Sequence, residues 1–119
     1  MIAALSILLA ATASGHLYSL PQCHETVETG AWWPDVDCAR DEYRRADARL
    51  NQAWKPALRS NAPRRSGLVA SERKWISELQ ATCAAVNDLS GEREFIEYRR
   101  LACKYELTRE RTSYLAKLR

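Results

Sequence analysis

Four cysteines in 119 residues constrain this chain more than any other feature. Cys23, Cys38, Cys83 and Cys103 contain no C-x-x-C pair, so neither a zinc ribbon nor a thioredoxin-type redox motif fits them. An even number of thiols in a small exported chain reads as two disulfides. A chain of this length makes one domain with a modest core, which such staples would firm. Four cysteines permit three pairings, and their positions alone do not choose among them.

Export is expected from the N-terminus. Ile2 to Ala13 is an uncharged apolar run closing on Ala11-Thr12-Ala13, an A-x-A cleavage pattern. Residues 1–13 therefore read as a signal peptide and residues 14–119 as one domain. The run is too short to cross a bilayer, which takes about 20 residues, so no transmembrane span is expected in the mature chain. No Lys or Arg precedes it, which leaves a retained anchor or a misplaced start codon as competing readings. Leu20-Pro21-Gln22-Cys23 is not a lipobox, because neither Pro nor Gln before the thiol is small in the required sense.

Helices dominate the chain beyond Asp37. Ala39, Tyr43, Ala46, Leu50 and Trp54 recur in steps of four and three, which lays one stripe along a helix from about Asp37 to Arg59. Pro56 is expected to bend or end it. Ser60 to Gly67 reads as a turn. A second helix runs from about Leu68 to Val86, with Leu68, Trp75, Ile76, Leu79, Cys83 and Val86 on one face. Asn87, Asp88, Ser90 and Gly91 break the chain. A third helix starts near Gly91 or Glu92 and continues to the end, with Phe95, Ala102, Tyr105, Thr112 and Leu115 in one line and Ile96, Cys103, Leu107, Tyr114 and Leu118 beside it. An isolated helix of this length is marginal in water, so the three must pack together. The expected fold class is all-α: a small three-helix bundle with an N-terminal loop, stapled by two disulfides.

Ser14 to Asp37 has no helical period and reads as an ordered loop. It holds both histidines, His16 and His24, and the adjacent Trp32 and Trp33. Adjacent residues of an extended chain face opposite sides, so one tryptophan is expected partly in solvent. Exposed Trp is typical of binding hot spots; the plainer alternative has one or both covering the helices and closing the bottom of a small core. Residues 14–38 carry Glu25, Glu28, Asp35 and Asp37 with no Lys or Arg, a charge of −4, whereas residues 39–119 set all 18 Lys and Arg against 11 carboxylates, +7; together these give the +3 of the chain. An acidic front on a basic helical body reads either as a recognition asymmetry or as ordinary Arg-rich helix surface.

Chemistry finds little support. Neither histidine has a nucleophile at a recognised spacing, and oxidised thiols leave no Cys–His pair, so no catalytic residue, cofactor or metal site is expected. The basic residues scatter around helices without a Gly-rich or aromatic reading platform, and no nucleic-acid partner is expected. Asp47 and Asn51 lie one helical turn apart and could meet a neighbouring backbone or Arg111, an Asp–Arg pairing suited to bidentate geometry. These three read as structural polar residues.

Three groups of residues together resemble one family. Cys38-Ala39, Ala46-Asp47-Ala48, Leu50-Asn51 and Trp54 look like the N-terminal helix of the bacterial lysozyme-inhibitor LprI family. Leu68, Glu72, Trp75 and Cys83 resemble its second helix. Cys103, Leu107-Thr108, Arg111 and Leu115 resemble its closing C-x-x-x-L-T-x-x-R-x-x-x-L helix. The resemblance covers about residues 23 to 119. Two positions depart from it: Glu72 stands where many relatives have Gln, and Leu79 where they have Arg ahead of the second-helix cysteine. The resemblance, with loop economy, favours Cys23–Cys38 and Cys83–Cys103, each contributing about 3 kcal/mol. Cys38–Cys83 with Cys23–Cys103 stays open, since antiparallel first and second helices bring their outer ends together. The family implies a periplasmic or secreted protein that acts by binding another protein, a lysozyme or similar wall-acting enzyme, and not by catalysis. The candidate contact is the acidic loop with His24, Trp32, Trp33 and Asp35. An envelope structural or assembly factor, or an immunity protein against an imported toxin, are the alternatives.

Overall fold

A computed structural model of the protein describes residues 16–118; the expected signal peptide lies outside the described residues. Asp35 opens the first long helix, α1 (Val36–Ser60), by accepting the Cys38 N–H on Oδ1 at 3.0 Å, and Asp37 adds negative charge to the first turn, where the helix dipole favours it. A second helix, α2 (Arg65–Ala84), and a third, α3 (Arg93–Lys117), complete the body. Among the described residues no helix is long and apolar enough to cross a membrane.

Small residues set the packing. Ala39, Ala46, Leu50, Ala53 and Ala57 are the buried positions of α1. The seven-residue recurrence of alanine at 39, 46 and 53 lets the backbone of α3 approach closely. One end of this seam joins Ala39 to Tyr98, Ala102 and Cys103; the other joins Leu50, Ala53 and Ala57 to Leu115. The helices α1 and α3 therefore run parallel, and α2 returns antiparallel along α3, with Leu79 and Cys83 beside Tyr98 and Cys103 and Leu68 beside Leu115. Direct contact between α1 and α2 is slight: both lean on α3. The bundle is thus open along one side.

Both disulfides have the expected pairing, Cys23–Cys38 and Cys83–Cys103, and no described cysteine is free. The first fixes the N-terminal segment to the start of α1; the second fixes the end of α2 to α3.

Pro56 sits inside α1, whose end at Ser60 lies one residue past the expected Arg59. The end of α1 is held by Asn61, whose Nδ2 donates to Ala57 O and to Leu118 O, both at 2.8 Å. Three expectations are corrected. The α1 stripe closes on buried Ala53 and Ala57, while Trp54 is only half-buried, because α3 approaches from the alanine side. The link between α1 and α2 is shorter than expected: a 3-10 turn, Ala62–Arg64, leads directly into α2 at Arg65, so Gly67 is helical. The N-terminal loop contains two short strands, β1 (His24–Thr26) and β2 (Trp32–Pro34), after a 3-10 turn at Pro21–Cys23.

Candidate functional site

The strands form an antiparallel hairpin in which His24 faces Pro34, Glu25 faces Trp33 and Thr26 faces Trp32. Residues 27–31 connect the strands, and at the tip Gly30 N–H donates to Val27 O and Val27 N–H to Ala31 O, both at 2.9 Å. Gly30 takes φ +83°, the left-handed conformation that follows a tight turn in hairpins of this length and that glycine adopts without strain. At the base, Asp35 N–H donates to Cys23 O at 2.8 Å beside the Cys23–Cys38 bridge. The hairpin is therefore short, pinned and held against the N-terminal ends of α1 and α3.

The four residues expected at the contact separate into three roles. His24 stacks on Trp32, ring centroids 3.8 Å apart and planes at 12°. Trp32 in turn meets Phe95 and Tyr98, so this tryptophan is packing. Tyr98 is fully buried; its hydroxyl accepts the Leu20 N–H and lies 2.6 Å from His24 Nε2 and 3.1 Å from Ser19 Oγ. A neutral His24 with its hydrogen on Nδ1 accepts the Tyr98 hydroxyl hydrogen on Nε2, and the other tautomer donates to it. Burial first, and the Arg99 cation second, hold the His24 imidazole below its ordinary value of 6.5, consistent with that neutral form. Asp35 is the α1 cap. Trp33 alone of the four remains well exposed, at 39 %, with its edge against Phe95. Val27, 43 % exposed, and the exposed Glu25 and Glu28 accompany it. The outer surface of the hairpin is thus Glu25, Val27, Glu28 and Trp33. Tyr98, central to the packing beneath it, is a residue that sequence reasoning missed; its place three residues after Phe95 and four before Ala102 is the signal that could have found it.

Asp47, Asn51 and Arg111 do not come together as expected. Arg111 Nε donates to Glu72 Oε1 at 2.7 Å and its Nη2 to Ser71 Oγ at 3.1 Å; the two ionised side chains are 10 % and 11 % exposed. The guanidinium also lies 4.7 Å from the Tyr114 ring centroid. The physical reason is the antiparallel seating of α2 on α3, which carries Glu72 to Arg111, while α1 stands to one side. Asp47 and Asn51 are exposed and line an open groove of about 410 Å³ between α1 and α2, with Tyr43, Trp54, Trp75 and Lys104 among its walls. Burial and the neighbouring Asp47 carboxylate raise the Tyr43 hydroxyl above its ordinary range. Among the described residues no three His, Cys, Asp or Glu side chains cluster as metal ligands would.

Fold and site together define a disulfide-stapled helical module that presents a pinned acidic hairpin at one end of an open three-helix body. The chain belongs to the lysozyme inhibitor LprI family, whose model matches residues 28–115. No curated protein and no solved structure matches it.

Proposed function

We propose that this chain is a periplasmic or secreted protein that binds a lysozyme, or another wall-acting enzyme, through the hairpin tip and blocks its cleft. Family membership supports a protein partner of that kind, and the two disulfides support an oxidising compartment. The observation that carries the reading is the hairpin itself: a rigid projection costs little ordering on binding, and this one exposes Trp33 and Val27 between Glu25 and Glu28. Its charge suits a basic enzyme surface, and ion pairs offset part of the positive charge of the body beside it. Several cations of the helix ends beside it are already paired, Arg40 with Asp37 and Glu97, Arg44 with Asp41, Arg45 with Glu42 and Arg99 with Asp88, while among the described residues Arg93 at the start of α3 joins no ion pair. The unpaired Lys55, Arg59, Arg64 and Arg65 lie toward the far end of α1, a helix about 37 Å long, several screening lengths away at about 8 Å each.

The test is lysis of a bacterial suspension by lysozyme with the oxidised protein added. Lysis should slow, and a Trp33→Ala/Glu25→Gln/Glu28→Gln variant with unchanged helicity should need about tenfold more protein for the same effect. No slowing by micromolar protein, across several lysozyme types, would remove the inhibitor reading in favour of an envelope assembly role or protection against an imported toxin.

A further inference from the structure

The far end of the molecule carries a feature that enzyme blocking does not use. From Ala48 to Ser71 the sequence has five cations, Arg49, Lys55, Arg59, Arg64 and Arg65, and no carboxylate. All five are exposed, as is Arg73, and among the described residues none of the six joins an ion pair. Of the two carboxylates that flank this stretch, Glu72 is already taken by Arg111 and Asp47 faces the groove between α1 and α2. The fold gathers these charges where α1 ends and α2 begins. Lys55, Arg59 and Arg65 border one shallow depression floored by Leu58 and Ala62, and Arg65 and Arg73 border a second floored by Pro63, Val69 and Ala70. Ala62 and Arg65 belong to both, so the surface is continuous: four unneutralised cations around an apolar floor.

We infer that this face docks on an anionic phospholipid bilayer, with Lys55, Arg59, Arg65 and Arg73 meeting the phosphate layer. The argument is charge complementarity joined to shape. Guanidinium groups take phosphate oxygens two at a time, and four fixed cations on one face add their attraction to a surface of dense negative charge. The small apolar floor between them suits the interfacial zone better than a fully hydrated polyanion. Docked this way, the protein holds the acidic hairpin at the opposite end of α1 away from the repelling surface. The inference is independent of the inhibitor reading, since it concerns different residues and a different partner.

Co-sedimentation of the oxidised full chain with vesicles tests it. Binding is expected to phosphatidylcholine vesicles containing phosphatidylglycerol, to weaken steeply between low and high salt, and to be absent with phosphatidylcholine alone. Each cation neutralised should weaken partition about fivefold, so Lys55→Gln/Arg59→Gln/Arg65→Gln/Arg73→Gln should abolish it with the circular-dichroism spectrum unchanged. A matched control, Arg44→Gln/Arg45→Gln/Arg93→Gln/Arg109→Gln, removes equal charge elsewhere and should still bind. Equal loss in both quadruple variants would reduce the effect to net charge and overturn the assignment. So would binding to neutral vesicles, or capture of soluble polyphosphate in preference to vesicles.

Discussion

The two ends of α1 solve the same packing problem by different means. At the hairpin end the core is built from large and polar-tipped groups: Tyr98 is buried under Trp32 and His24, a disulfide closes the corner, and Arg40 and Arg99 are matched to carboxylates. At the far end the seam is Ala53, Ala57, Leu50 and Leu115, no disulfide crosses it, and the cations stand unmatched. Charge matching at the first end lets a −4 segment sit on a positive body; its absence at the second leaves attraction for something outside the molecule. One end is organised inward and the other outward.

That contrast can be broken experimentally. Tyr98→Ala should cost about 3 to 5 kcal/mol in urea unfolding, as for other buried aromatics cut to alanine; a loss below about 1 kcal/mol would mean that the hairpin end is not anchored there. Replacing Cys23 and Cys38 together with Ala should cost about 3 kcal/mol while helicity persists, whereas collapse of α1 and α3 would show that the corner holds the whole bundle. A smaller effect concerns pH. His24 is held below its ordinary value in the folded chain, so between that lowered value and about pH 6.5 the unfolded chain binds more protons. Its contribution is whole above pH 6.5 and fades as the pH drops through the lowered value. Because the ring is partly exposed the change should stay under about 1 kcal/mol, and His24→Gln should flatten it. Least of all, neutralising Lys55, Arg59, Arg65 and Arg73 singly should leave stability within about 0.5 kcal/mol. A clear gain would mean that their mutual repulsion strains the far end.

Much of this architecture was legible in the chain. The three helices follow from apolar spacing, and the exposure of one tryptophan of the pair follows from strand geometry. The hairpin was not legible: two strands of three residues carry too little alternation to register, and only the pairing of Glu25 with Trp33 reveals them. Arg111 shows a different limit. Spacing identified Asp47 and Asn51 as sharing a face of their helix, but which helix supplies the carboxylate depends on how α1 and α2 splay across α3. Glu72 sits in a family motif and was visible as a residue, not as a partner. Tyr98 was the avoidable omission, because it lies in register with Phe95 and Ala102.

The bridges also divide the polypeptide. One joins Cys23 to Cys38 and the other Cys83 to Cys103, so neither covalently links the part before Asn61 to the part after Arg64. A single protease cut at the exposed Ala62–Arg64 turn would leave two fragments joined by nothing stronger than side-chain contact along α3. In denaturant they should separate without any reductant, so the integrity of the fold under proteolysis hinges on how well one proline-containing bend resists cleavage.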